Sequence, residues 1–333
     1  ILAHRGSTSS TRHFRPAAKF GSSTPKMATD GSSDPAAGGE NPDPDLGRRP
    51  RFLVCPPDYY DAHFLFNPWM AYTEQVDRAK AREQWERLVR LLEDLGARLE
   101  FMEPSASSPA QVFTADGALI NAENKALLLR NDGPRGEDEP LLFADWLERH
   151  DFTTESLPPG MTLDGGNILR LHDGSYLVGI KPGSTHRGEQ YLLRLLPLVA
   201  NASVEFIHLS DIRYLHLDMV VGRLGDKGYL VHEPGFGIDQ GSIRGSTLDQ
   251  RAILYAGSDD ARNFVCNAIT VGDTVVTGAI SAKLRREIEG LGLAVEEAQL
   301  SGFYKAGGGA KCLVLPLDHW RQTQVNRSGA TSA

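Results

Sequence analysis

Four short stretches dominate the sequence: NKALLLRN, DGSYLVGI, DKGYLVHE and GDTVVTGA, starting near residues 124, 173, 226 and 272. Each is a polar turn running into a short apolar strand, and they recur about 50 residues apart. After three of them comes a helical pattern and then another strand: LLFADWLERH; RGEQYLLRLLPLVA then VEFIHL; and AKLRREIEGLG then VEEAQL. A strand–strand–helix–strand unit of this size cannot bury its own sheet face, so several must pack together. With a further unit over 51–120 the count is about five, which predicts an α/β circular array; an ordinary α/β sandwich is the alternative.

The first 49 residues are of another kind, rich in Ser, Thr, Gly and Pro and without apolar periodicity, which predicts disorder. The stretch from Ile1 to Thr29 carries five Lys/Arg and no acid, so it reads as a disordered tail or as an organellar transit segment. Order is expected from Arg51, where RFLVC reads as a strand stopped by Pro56 and Pro57. A helix is predicted over 73–95, with Val76, Ala79, Trp85, Leu88, Leu92 and Leu95 as its apolar stripe and Gly96 as its stop. The expected organisation is a tail over 1–49, a catalytic domain over 50–320 and a second tail over 321–333.

A formal net charge of −8 argues against nucleic acid or an anionic membrane as a partner. No apolar run approaches the roughly 18 residues needed to span a bilayer. The three cysteines, Cys55, Cys266 and Cys312, suit a reducing compartment with free thiols, and no CxxC or clustered His/Cys pair suggests a metal. A cytoplasmic location follows, or mitochondrion or plastid if the N-terminus is a transit segment.

Cys312 stands out because it follows Gly307, Gly308 and Gly309, which could let a ligand approach the sulfur; a structural buried thiol is the competing reading. Cys55 and Cys266 fit the buried reading better. In LHLD, strand alternation would put His216 and Asp218 on one face, as an acid/base and its charge partner or as a sheet-edge histidine. Asp164 precedes Gly165 and Gly166, and Asp116 is placed at the end of an apolar strand; either is also ordinary turn chemistry.

Taken in order, VFTADGALI, TLDGGNIL, LVGIKPGSTHRGEQYL, LHLD and GGGAKCLVL resemble motifs of the guanidine-modifying (pentein) superfamily. That group contains dimethylarginine dimethylaminohydrolases, arginine deiminases and amidinotransferases. The resemblance covers roughly 51–318. It implies a five-bladed α/β propeller of strand–strand–helix–strand modules around a pseudo-fivefold axis. It also implies Cys312 as nucleophile, His216 as acid/base, Asp164 as its orienting partner, Asp116 and Asp218 as guanidinium acceptors, and Arg130 as a binder of the substrate's polar head. FLVCPPDYYDAHFLFNPWM is similar to the arginine dihydrolases, in which an Asn here helps a second hydrolysis, so Asn67 is the candidate. Asn167 stands where the family usually has Asp. Gly183-Ser184 replaces an Arg-Thr pair whose Arg helps hold the substrate α-carboxylate. Asp218 follows the deiminase and amidinotransferase pattern, against Lys in animal dimethylarginine hydrolases. The implied activity is hydrolysis of arginine or N-methylated arginine without metal or organic cofactor. Amidino transfer, deiminase or dihydrolase action, and an inactive binding protein are the alternatives. The expected partner is a small guanidino substrate, with homo-oligomerisation left open.

Overall fold

The computed structural model describes residues 49–62, 76–121, 123–131, 138–181, 203–239, 248 and 251–318. The tails expected over 1–49 and 321–333 lie almost wholly outside these residues, and Asn67 and Gly183-Ser184 do so entirely.

The chain enters through strand β1 (Arg51–Val54), crosses by helix α1 (Arg78–Asp94) and returns as β2 (Arg98–Phe101), parallel to β1. Asp77 caps α1, its carboxylate accepting the Lys80 N–H at 3.0 Å. The buried stripe is Ala81, Trp85, Leu88 and Leu92, spaced four, three and four apart. Ala79 falls on the exposed side, contrary to expectation, because it is out of phase with that stripe. Gly96 takes φ +89° directly after the Leu95 cap, the left-handed conformation that stops a helix.

Three contiguous modules and a fourth of the same sheet order follow. Strands β3 (Ala118–Ile120), β4 (Lys125–Leu128) and β5 (Thr153–Ser156) form the second sheet, with helix α2 (Glu139–Arg149) before β5. The third sheet is β6 (Ile168–Arg170), β7 (Tyr176–Ile180) and β8 (Val204–His208). The fourth is β9 (Val221–Leu224), β10 (Gly228–Val231) and β11 (Ala252–Tyr255). After the short helix α3 (Ser258–Arg262), strands β12 (Ile269–Val271), β13 (Thr274–Thr277) and β14 (Ala294–Glu297) form the fifth, with α4 (Ala282–Glu289) before β14. In each of these sheets the first two strands are an antiparallel hairpin and the third pairs parallel with the second. The four recurring apolar segments are the central strands β4, β7, β10 and β13, buried on both sides, which explains their near-continuous apolar character.

The first sheet departs from the expected 51–120 unit. Ala118–Ile120 belongs to the second sheet, and the missing hairpin strand is β15 (Leu315–Pro316), antiparallel to β1 with Phe52 opposite Pro316 and Leu53 opposite Leu315. The C-terminal strand therefore completes the sheet that the N-terminal strand began. The segment before the glycines is the short helix α5 (Ser301–Tyr304).

Candidate active site

Each hairpin is entered through a tight turn, and each turn ends in or carries one buried polar or nucleophilic side chain. These are Asp116 in the turn Thr114–Asp116, Asn167 in Gly165–Asn167, Asp218 in Leu217–Met219, Asn267 after Phe264, and Cys312 in Lys311–Leu313. All five are at most 3% exposed. Asp116 and Asp218, expected on strands, sit on these turns instead. A strand's alternation would have aimed His216 and Asp218 alike; here His216 is the extended residue before the turn and Asp218 lies within it.

The turns are stitched by one recurring bond. Asp116 Oδ1 accepts the Gly166 N–H at 2.9 Å, and Asn167 Oδ1 accepts the Leu217 N–H at 3.0 Å. Asn267 Oδ1 accepts the N–H groups of Gly309 and Cys312 at 3.1 and 3.2 Å. A side chain of one module thus satisfies the backbone of the next module's turn. Asn167 serves this purpose, and an amide suits it because only a neutral acceptor is required.

Asp218 breaks the pattern. Its Oδ2 accepts from Lys311 Nζ at 2.9 Å and lies 3.6 Å from Cys312 Sγ, while its fully buried Oδ1 has no hydrogen-bond partner among the described residues. An ionised carboxylate oxygen left open in the interior is costly unless a ligand donates to it. Cys312 Sγ accepts from Asn267 Nδ2 at 3.0 Å. Burial, with the charges of Asp218 and Asp116, pushes the Cys312 thiol well above its ordinary value, against a smaller opposing effect of Lys311. An added cation would reverse the carboxylates' effect.

Asp164 is 4% exposed and faces His216, Oδ2 to Nε2 3.5 Å, and also the Lys181 ammonium. Burial would raise the Asp164 pKa, but the bond to His216 and the charges of His216 and Lys181 outweigh it and hold the carboxyl far below its usual range. Burial alone would lower His216, whereas Asp164, and Asp116 behind it, hold it above its ordinary value. The pair is therefore set up to carry a proton on the imidazole near neutral pH. Gly166 makes this packing feasible, because a Cβ there would stand 2.4 Å from His216 Nδ1.

Two of the glycines before Cys312 are needed for packing. A Cβ on Gly308 would meet the Phe113 ring at 2.3 Å, and one on Gly309 would meet Asn267 Oδ1 at 2.9 Å. They allow the loop to lie against its neighbours. Arg130 is exposed, and its carbonyl accepts the Leu163 N–H at 2.7 Å, one residue before Asp164; its side chain is not among the buried turns. Cys55 and Cys266 are fully buried thiols raised by burial. Sequence reading missed Asn267, Lys181 and Lys311. Asn267 had a findable signal, since 116, 167, 218, 267 and 312 form one series at the module spacing. The two lysines had none, because their partners are distant in sequence. Among the described residues no group of three or more His, Cys, Asp or Glu could hold a metal ion.

No protein-family model matches the chain. The bifunctional arginine dihydrolase/ornithine cyclodeaminase AgrE of Nostoc sp. is 34% identical over 273 residues, which is 80% of this chain and 38% of that protein. The N(G),N(G)-dimethylarginine dimethylaminohydrolase of Mycobacterium tuberculosis is 28% identical, covering 81% of this chain and 86% of that one. The crystal structure of the N-terminal domain of ArgZ, a cyanobacterial arginine dihydrolase bound to product, superposes with TM-score 0.74 at 28% identity over 81% of this chain and 97% of that chain. The chain's homologues and structural neighbours are pentein-type enzymes that act on guanidino groups. The chain spans well under half the length of the bifunctional relatives it matches. Pentein-type proteins of lower similarity share the fold, such as a dimethylarginine dimethylaminohydrolase adduct structure at TM-score 0.67 and 19% identity.

Proposed function

We propose that the protein hydrolyses the guanidinium carbon of arginine or an N-methylated arginine, with Cys312 as nucleophile. The observation carrying this is the Oδ1 of Asp218, buried beside the thiol and without a hydrogen-bond partner among the described residues. The cationic substrate donates N–H groups to Asp116 and Asp218, which fix its plane against the sulfur. Its charge offsets the two carboxylates that keep the thiol protonated, so on substrate binding the thiol gives up its proton to solvent and becomes the thiolate. The thiolate attacks the guanidinium carbon and a C–S bond forms. The terminal C–N bond breaks as protonated His216 gives its proton to the leaving ammonia or amine. Neutral His216 then takes a proton from water, which attacks the thiouronium carbon; the C–S bond breaks, releasing a ureido product and the thiol. Asp164 orients His216 throughout and stabilises it when protonated, and Lys181 helps His216 keep Asp164 ionised. No step calls for a cofactor. A relative's N-terminal domain, ArgZ, has been crystallised with a covalently bound reaction intermediate, and a cysteine-to-serine variant of it with substrate. Both support a covalent route here.

The closed five-bladed propeller is part of the same proposal, supported by the turn-to-turn bonds and the β15–β1 pairing. So is the division into tails over 1–49 and 321–333 and a catalytic domain over 50–320. A second reading has its own support: the 34% identity is to an arginine dihydrolase. In that reading the ureido carbon is hydrolysed again, with Asn67 assisting, and ornithine accumulates instead of citrulline. Incubation with arginine, methylated arginines and agmatine, with and without an acceptor amine, separates these outcomes. Ureido product and ammonia or amine are expected; a transferred amidine would indicate amidino transfer, and absence of turnover an inactive binding protein.

A further inference from the structure

The series of bonds from turn to turn has one interruption. Asp116, Asn167 and Asn267 each reach the backbone of the next module's turn, whereas Asp218 reaches no backbone among the described residues. Its side chain is held instead by the Lys311 ammonium, 2.9 Å from Oδ2. Lys311 is 93 positions away in sequence and directly precedes Cys312. One carboxylate oxygen therefore meets both this ammonium and, at 3.6 Å, the Cys312 sulfur.

Lys311 is rooted in a fixed turn. Its backbone N–H donates to the Asn267 carbonyl at 3.3 Å, and the Cys312 N–H donates to Oδ1 of the same Asn267 at 3.2 Å. Its ammonium also has little choice of partner. Lys311 lines a cavity of about 170 Å³ behind the turns, where the one acid among the described lining residues is Asp318, and Asp318 pairs with Arg51. Burial alone would lower the Lys311 pKa, but the charges of Asp218, Cys312 and Asp116 hold it above its ordinary value, so the ammonium stays charged. It is also the cation that opposes the two carboxylates at the sulfur. Without it, Asp218 would be a buried carboxylate with no charged partner among the described residues, a costly state.

Building on the hydrolase reading above, we propose that Lys311 is a positioning residue for the reaction: it ties Asp218 through Oδ2 so that Oδ1 is presented to the guanidinium, and it keeps a fixed positive charge beside the sulfur that supports the thiolate. Asp218 then takes one guanidinium N–H, on Oδ1, rather than two.

Alkylation of Cys312 by neutral iodoacetamide, without substrate, reads this charge. At neutral pH Lys311→Met should be alkylated about fivefold or more slowly than the native chain, its rate profile displaced to higher pH, and Lys311→Arg should stay within about twofold. Lys311→Gln, which can still donate to Asp218 but carries no charge, should behave as Lys311→Met does, and it carries the test if the Met variant does not fold. With arginine, Lys311→Met should lose about tenfold or more in kcat without a rise in KM, because the sulfur loses its support while the second Asp218 oxygen opens to the substrate cation. A neutral variant whose alkylation profile coincides with the native one or moves to lower pH would overturn the proposal. So would a raised KM with kcat unchanged. Absence of turnover by the native chain would instead count against the hydrolase reading, and the alkylation comparison would still decide whether Lys311 acts on the sulfur.

Discussion

Cys312 and Asp218 make opposite demands on the proposed site. The proposed reaction needs the thiol as an anion, yet burial and two carboxylates oppose that. The consequence is measurable as a pH profile. Alkylation of Cys312 by neutral iodoacetamide should keep accelerating above the ordinary thiol pKa of about 8.5, because the thiolate form is suppressed below it. A cationic haloacetamidine should react at distinctly lower pH, because it brings the missing positive charge; coincident profiles would show that the carboxylates do not act on the sulfur. Asp218 should also choose among substrates. Each N-methyl removes a donor and leaves a buried acceptor open, at a cost of about 1–3 kcal/mol. Arginine should therefore compete well with asymmetric dimethylarginine, and Asp218→Lys should lower kcat/KM for arginine more than for the methylated substrate. Equal losses for both would remove Asp218 as the selector. At this scale the motifs of the sequence singled out Cys312, His216 and Asp164, and the structure buries Cys312 and sets His216 against Asp164. The sequence was silent about Lys311 and Lys181, whose roles arise from ion pairs spanning 93 residues and 17 positions respectively.

The hairpin-entry turn is the element on which the site is built. One side chain per turn reaches the next turn's backbone, so a catalytic residue in one module is positioned by a residue in its neighbour. Asn267 has the largest share, holding Gly309, Cys312 N and Cys312 Sγ at once. Asn267→Ala should cost about 2–4 kcal/mol from three lost bonds and lower kcat more than KM, because the sulfur loses its position while Asp116 and Asp218 remain. Unchanged melting with unchanged kcat would show the loop to be held by other means. The helical and strand periodicities were readable for α1, α2, α4 and the central strands. The turns were not, since TAD and LDM have the composition of strand ends and only hydrogen bonds across modules make them turns.

Across the whole molecule, the 50-residue repeat was visible, but its phase was not. A local pattern cannot show that the first sheet takes its hairpin strand from the far end of the chain, because that pairing joins residues 52 and 316. The two ends of the ordered chain should therefore respond differently to shortening. A chain beginning at Arg48 should melt and turn over as the full chain does, since the removed residues have no apolar pattern to offset an ordering entropy of roughly 1–2 kcal/mol per residue. Ending the chain at Val314 should abolish cooperative unfolding, as it strips β15 and the buried Leu315 and Leu317 from the first sheet. Ending it after Asp318 should not. Equal tolerance of both C-terminal cuts would mean that the β15–β1 pairing contributes little.

All of this rests on a covalent bond between Cys312 and a guanidinium carbon. The direct measurement is rapid acid quenching of the protein mixed with arginine carrying ¹³C at the guanidinium carbon, followed by peptide mass spectrometry. The account predicts a transient adduct on the peptide containing Cys312, bearing the labelled carbon, that forms before product and decays as product appears. Cys312→Ser should fold normally and form neither adduct nor product. Label found on Cys55 or Cys266, or full turnover by the Cys312→Ser protein, would contradict it.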